Sequence, residues 1–214
     1  MLQFITDGTP LQVMSQIKSV VDNGVKWIQI RMKDASDCDI RNVIQMSKPL
    51  CHERGVTLVI DDRVDLAYEF DLDGVHLGKD DMHPAEARNI LGDKKIIGAT
   101  ANSLDDVIRV SAMPIDYIGL GPLRYTTTKK RLAPVLGLDG VISIFNTMEE
   151  KGINIPVVVI GGIKVADIGP LISAGAWGVA VSGAIAHVGD IAEAARSFLA
   201  EDKINCNIVS ERKI

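Results

Sequence analysis

The chain has 214 residues, 47% of them apolar and only 4% aromatic, and carries a formal charge of −5. That length suits one large α/β domain whose core is built from Val, Ile, Leu and Ala rather than rings, and the acidic balance argues against a nucleic-acid partner or an anionic membrane surface. Cys38, Cys51 and Cys206 make neither a disulfide framework nor a zinc spacing. No apolar run approaches a membrane span and no charged-then-apolar leader opens the chain, so a reducing cytoplasm is the expected compartment.

Eight short apolar or β-branched runs punctuate the chain: "LQFIT" (2–6), "WIQI" (27–30), "TLVI" (57–60), "GVHL" (74–77), "KIIGAT" (95–100), "DYIGLG" (116–121), "PVVVIGG" (156–162) and "WGVAVSG" (177–183). Each is stopped by Gly, Asp or a polar residue, as expected of parallel strands buried on both faces. Helical patterns lie between them. Leu11, Met14, Ile17 and Val21 recur at helical spacing before Gly24, a C-terminal stop. Ser36 with Asp39 opens the next helix in a box-like way, and Pro49 falls inside it, where it removes a donor. Ser103 with Asp106 opens another, Asp167 begins the helix before Gly175, and "GDIAEAARSFLA" (189–200) is the last. Strands alternating with helices predict an α/β fold, a single-domain (β/α)8 TIM barrel over residues 1–202, with 203–214 as a C-terminal tail. The alternative is an open doubly wound sheet.

Both architectures put function at the C-terminal ends of strands, and those ends are polar here. Gln29, Arg31 and Lys33 alternate, so all three point the same way, into a barrel. Two cations aimed there are costly unless they meet anions. The third run ends in Asp61–Asp62–Arg63, and the fourth leads to Lys79, Asp80 and Asp81. Carboxylates on neighbouring strand ends can share one Mg2+, or can cap the next helices instead. His76 is expected to be packed or hydrogen-bonded rather than a ligand. The sixth run ends in "GPLRYTTTKKR" (121–131), in which hydroxyls and cations suit a phosphate. Gly161–Gly162 and Ser182–Gly183 end the last two runs, the usual place of a barrel phosphate site. Two anionic groups can therefore be held at once. No Ser/His/Asp or Cys/His arrangement stands out, which favours chemistry driven by leaving-group stabilisation. One charge contact at 4 Å is worth about 4 kcal/mol at an effective dielectric near 20, before desolvation.

In series, "QIRMKD" (29–34), "DDRVDLA" (61–67), "DGVHLGKDDM" (73–82), "IIGATANS" (96–103), "DYIGLGPLRYTTTKK" (116–130), "VVIGGI" (158–163) and "GVAVSGAI" (178–185) resemble thiamine-phosphate synthases. The resemblance implies a Mg2+-dependent transferase. It would join 4-amino-2-methyl-5-hydroxymethylpyrimidine diphosphate to a thiazole phosphate, plain or carboxylated, giving thiamine phosphate and diphosphate. It implies that diphosphate leaves first and that the thiazole nitrogen traps the resulting cation. Position by position, it assigns Gln29, Arg31, Lys33 and Asp61 to the pyrimidine diphosphate and Asp62 and Asp81 to the metal. Thr100 is set near the leaving group, Thr126, Thr128 and Lys129 on phosphate oxygens, and Gly162, Ser182 and Gly183 around the thiazole phosphate. Arg31, Lys33, Thr100 and Lys129 are the implied catalytic groups.

Four positions depart from the family pattern. Asp61 replaces the usual Asn and needs an offset from metal, Arg63 or Lys79. Lys79 replaces Gln, Thr100 replaces Ser, and Gly183 replaces Ser. A paralogous thiazole tautomerase carries His where this chain has Pro122 and breaks the Thr-x-Thr-Lys element, so the synthase is favoured over that isomerase and over a non-catalytic phospholigand-binding barrel. The expected partners are small molecules, with no nucleic acid and no membrane. The oligomeric state, including a homo-oligomer, is left open.

Overall fold

The computed structural model describes residues 1–125 and 134–206 of the chain. Eight parallel strands close into a barrel in sequence order: β1 (Leu2–Ile5), β2 (Trp27–Ile30), β3 (Thr57–Asp61), β4 (Gly74–Leu77), β5 (Ile96–Ala101), β6 (Tyr117–Leu120), β7 (Val157–Ile160) and β8 (Gly178–Val181). The seam is the β1–β8 pairing, with Leu2 opposite Val179 and Phe4 opposite Val181. Closure rules out the open doubly wound sheet. Helices follow the strands: α1 (Pro10–Asp22), α2 (Asp37–Glu53), α3 (Val64–Glu69), α4 (Pro84–Leu91), α5 (Leu104–Ser111), α6 (Gly137–Glu150), α7 (Ile168–Ala174), α8 (Gly183–Ala186) and α9 (Ile191–Cys206). Among the described residues no helix is long and apolar enough to cross a membrane.

The twofold alternation of each strand sorts the core into two bodies. Residues such as Phe4, Ile28, Ile60, Val75, Ile97, Ile118, Val159 and Val179 face the helices and join one large cluster. Residues of the other parity, Ile5, Trp27, Val59, Tyr117, Val158 and Ala180, fill the barrel interior. With few aromatics available, a single cluster supplies most of the interior ring volume. Trp27 meets Tyr117 and Trp177 edge-on, at centroid distances of 4.9 and 5.4 Å. Room for it comes from glycine: a Cβ on Gly98 would lie 2.2 Å from Tyr117 Cζ and 2.6 Å from His76 Nδ1.

The helix caps follow their local sequence. Ser36 and Ser103 accept from the amides of Asp39 and Asp106, and Thr9 with Gln12 makes a full capping box on α1. Gly24 adopts the left-handed conformation just after α1, as its position predicts. The apolar stripe of α1 differs from expectation. Leu11 is 82% exposed, and the face turned inward is Val13, Ile17, Val20 and Val21. Both registers have helical spacing, and only the docking of α1 on its neighbours selects between them. Pro49 stays within an unbroken α2. The last helix runs to Cys206 rather than stopping near residue 200, because Glu and Lys favour helix without adding to an apolar stripe. The expected tail at 203–214 thus begins inside α9, and residues 207–214 lie outside the described residues.

Asp106, at the start of α5, ties three strand ends together. It accepts from the Asn102 amide at 3.0 Å and from Arg109 at 3.1 Å, and pairs with Lys79 beyond β4. Asn102 in turn donates its side-chain amide to Gly121 O beyond β6.

Two stability measurements follow. Gly98→Ala drives a methyl into Tyr117 and should cost roughly 1–3 kcal/mol or more by urea denaturation; an unchanged midpoint would mean the ring stack is loose. Burial pushes the Asp106 carboxyl up, but the hydrogen bonds from Lys79, the Asn102 amide and Arg109 outweigh it and bring it down to about 2. A carboxyl with a lowered folded pKa stabilises above its unfolded value and loses that contribution as pH falls through the folded value. The stability gap between the wild type and Asp106→Asn, about 2 kcal/mol at most near neutrality, should therefore narrow between about pH 4 and pH 2. A gap independent of pH would contradict this account.

Candidate active site

The C-terminal rim of the barrel is built from charged side chains that meet one another. Arg31 follows β2, and its backbone is held by Thr6, whose hydroxyl accepts from Arg31 N at 2.9 Å and donates to Arg31 O at 3.3 Å. This side-chain clasp extends the β1–β2 ladder past its last backbone bond, Thr6 N to Gln29 O at 3.0 Å. Arg31 Nε then lies 3.4 Å from Asp61 Oδ2. Lys33 Nζ stands 3.1 Å from Asp62 and 3.9 Å from Asp61. Burial by itself would lower the Lys33 pKa, but Asp61 and Asp62 outweigh it and hold the ammonium above its ordinary value.

The inward cations thus do meet anions. The partners differ from those expected, however. Neither Arg63 nor Lys79 offsets Asp61. Arg63 turns outward to grip Asp37 at 2.7 Å and Asp65 at 2.6 Å, and Lys79 is engaged with Asp106. Asp61 is balanced by the residues two strand positions apart on β2 and its extension. Parallel register explains this: β2 and β3 run side by side with Ile30 opposite Ile60, so the residues following each are neighbours.

Asp62 and Asp81 come together at one point of this rim. Asp62 holds a left-handed backbone at φ 65°, unusual for a non-glycine residue, and its amide donates to His76 O at 2.8 Å. Asp81 folds back so that its Oδ2 accepts from Gly78 N at 2.7 Å. A Cβ on Gly78 would be 2.6 Å from Asp81 Oδ2, so the missing side chain is what admits the Asp81 carboxylate beside Asp62, whose Oδ1 lies at an ordinary 4.0 Å. Burial, and then the Asp62 carboxylate beside it, push the Asp81 carboxyl above its usual range. Two carboxylates held against their own repulsion fit a cation between them. Among the described residues no cluster of three or more His, Cys, Asp or Glu could hold a metal. The pair therefore suits a hard ion that takes few protein oxygens and completes its shell with water and phosphate, as Mg2+ does.

Inside the mouth, below these charges, lie Gln29, Thr100, His76 and Tyr117. Gln29 is 2% exposed and Thr100 9%. His76 Nε2 is 3.0 Å from Thr100 Oγ1, and its Nδ1 is 2.9 Å from the Tyr117 hydroxyl. His76 is therefore a hydrogen-bonded residue, as expected, but its partners and the whole polar column were not foreseeable from spacing.

On the far side, the segment after β6 lies across the turn after β7. Leu123 N and Arg124 N donate to Ile160 O and Gly161 O at 2.8 and 2.9 Å. Arg124 pairs with Asp167 at 2.7 Å and reaches Gly162 O at 3.1 Å. Gly161 and Gly162 have φ of 99° and 65°, and a Cβ on Gly161 would meet Pro122 at 2.6 Å. This glycine pair thus serves the close approach of two loops, a use that its reading as a ligand turn left out. Ser182 and Gly183 stand after β8, and Ser182 Oγ is buried with no hydrogen-bond partner among the described residues. Thr126, Thr128 and Lys129 lie outside the described residues.

The sequence and the fold have known counterparts. The family model for thiamine monophosphate synthase matches residues 2–185. A thiamine-phosphate synthase of Bacteroides fragilis is 47% identical over 92% of this chain and 98% of its own length, and one of Flavobacterium psychrophilum is 42% identical over 86% and 90%. Among solved structures, thiamine phosphate pyrophosphorylase from Pyrococcus furiosus superposes with a TM-score of 0.84 at 29% identity, covering 95% of this chain and 96% of that one. The chain belongs to the thiamine monophosphate synthase family of enzymes.

Proposed function

We propose that this chain joins 4-amino-2-methyl-5-hydroxymethylpyrimidine diphosphate to a thiazole phosphate, plain or carboxylated, releasing thiamine phosphate and diphosphate, and CO2 as well from the carboxylated form, in the cytoplasm. The observation that carries this reading is the convergence of Arg31, Lys33, Asp61, Asp62 and Asp81 on the C-terminal rim of β2, β3 and β4. The activity named for the family's relatives supports it.

Asp62 and Asp81 would hold Mg2+, which when bound supplies positive charge to a departing diphosphate. Arg31 and Lys33 are already poised by Asp61 and Asp62, so they can turn to a diphosphate without first being gathered from solvent. Gln29 and Thr100 offer neutral polar contacts deeper in the mouth. As the methylene C–O bond breaks, its electron pair leaves with the diphosphate. Cations aimed at those oxygens bind more tightly as charge builds there, which is what lowers the barrier. The thiazole nitrogen then gives its lone pair to the methylene carbon. Its monophosphate does not change charge, so uncharged donors suffice to hold it. Gly162, Ser182 and Gly183 are assigned to that task, with the unpartnered Ser182 hydroxyl as the best-supported contact. Thr126, Thr128 and Lys129 are assigned to phosphate oxygens between the two groups, with Lys129 on the leaving diphosphate. Asp61 tunes rather than binds: it holds Arg31 in place while adding one negative charge near the diphosphate.

The direct test mixes both phosphorylated substrates with Mg2+ and follows thiamine phosphate and diphosphate release. No product sinks the proposal, whereas Asp62→Ala should lower Mg2+-dependent turnover by roughly 100-fold or more. Arg31→Ala should raise KM for the pyrimidine diphosphate and lower kcat by roughly 10- to 1000-fold, since it removes one charge from the diphosphate side and weakens the compensation of Asp61. Binding of the thiazole phosphate by calorimetry should change little; the reverse pattern would overturn the division of the rim.

A further inference from the structure

The polar column beneath Thr100 has a direction that can be worked out from its partners. Gln3, 2% exposed, donates through Nε2 to the Tyr117 hydroxyl at 3.3 Å. Tyr117, also 2% exposed, lies 2.9 Å from His76 Nδ1. An amide nitrogen accepts nothing, so among these partners only Nδ1 can take the phenol proton. An imidazole that accepts at Nδ1 carries its hydrogen on Nε2. Nε2 faces Thr100 Oγ1 at 3.0 Å, so the ring must donate and the threonine accept. A hydroxyl that accepts from below keeps its one proton for an acceptor elsewhere, and Thr100 is the last residue but one of β5, near the C-terminal end of the barrel. Gly98 and Gly119 are what make the column possible. A Cβ on Gly119 would lie 2.8 Å from His76 Cε1, and one on Gly98 would strike both rings.

We propose that His76 is a positioning residue, set in one tautomer by Tyr117, which turns the Thr100 hydroxyl into a committed donor toward the barrel mouth. The identity of the acceptor there, an oxygen of the leaving diphosphate, rests on the synthase reading. The direction of the hydrogen bonds does not. Without the column the hydroxyl could rotate and spend its proton on the imidazole, and the site would lose a donor that is in place before the bond breaks.

The test separates these two layers. In the intact protein labelled with 15N at its four histidines, a long-range proton–nitrogen spectrum should show His76 with a pyridine-like Nδ1 and a protonated Nε2, assigned by its disappearance in His76→Gln. A ring protonated at Nδ1 alone reverses the column and overturns the proposal. So does a doubly protonated ring. In the two-substrate assay, Tyr117→Phe keeps the aromatic packing and should lower kcat roughly ten- to hundredfold, leaving KM for the thiazole phosphate unchanged. On a Thr100→Val background the same change should cost nothing further; an equal loss in both backgrounds would show a merely structural role. His76→Gln, which restores an N–H donor, should retain more turnover than His76→Leu. If the wild type makes no thiamine phosphate, the synthase reading falls, and the nitrogen spectrum still judges the column by itself.

Discussion

An arginine and a carboxylate 3.4 Å apart on the extensions of adjacent strands, Arg31 and Asp61, govern the rest of the rim. Their side chains are only 15% and 11% exposed, so neither charge is fully hydrated. Desolvating either alone would cost several kcal/mol, and the structure responds by supplying each with the other. Lys33 extends the arrangement to Asp62, and Asp62 brings in Asp81. Among the described residues the rim is a connected chain of charge, cation to carboxylate to carboxylate, in which Arg31 and Lys33 meet Asp61, Asp62 and Asp81. Under the proposed function a divalent cation would sit at the Asp62–Asp81 end, and a polyanion that follows it would find Arg31 and Lys33 already in position.

Below the rim the interior changes character. Apolar packing supplied by Trp27, Tyr117 and Trp177 closes the floor of the barrel, and a thin column of polar groups rises through it from Gln3 to Thr100. Glycines on β5 and β6 cede the volume that two rings occupy. A barrel of four- to six-residue strands has little interior to spend, so the Tyr117 and His76 rings are matched by missing side chains on β5 and β6. The same exchange recurs outside, where Gly78 admits the Asp81 carboxylate and Gly161 admits Pro122.

The barrel was legible because its signal is local. All eight runs became strands, with ends moved by a residue or two, most of them inward and those at Asp61 and Ala101 outward. The inward direction of Gln29, Arg31 and Lys33 was legible for the same reason, since alternation is a property of one strand. Pairing was less so. Arg63 and Lys79 adjoin the acidic residues in sequence, yet both turn to other partners, Asp37 and Asp65 for one and Asp106 for the other. The cations that balance Asp61 lie about thirty residues upstream and reach it only through the β2–β3 register. His76 and Tyr117 are 41 residues apart and meet over the one intervening strand, β5, where Gly98 stands. Such a contact leaves one trace in sequence, a glycine inside a strand, and that trace names no partner.

The division of the rim into a charged half and a neutral half has a chemical reason under the proposed function. A leaving diphosphate gains charge as its bond to carbon breaks, so groups that respond to charge, Arg31, Lys33 and a metal on Asp62 and Asp81, act on the rate. A monophosphate that begins and ends with the same charge gives a cation nothing to do in the transition state. Holding it with Arg or Lys would tighten ground and transition states alike and slow product release. The ends of β7 and β8 carry Gly161, Gly162, Ser182 and Gly183, with Lys164 two residues beyond Gly162 and near Asp167, while Arg124, described after β6, is paired with Asp167. The pairing of Arg124 with Asp167 thus does on the quiet side what Arg31 with Asp61 does on the reactive side.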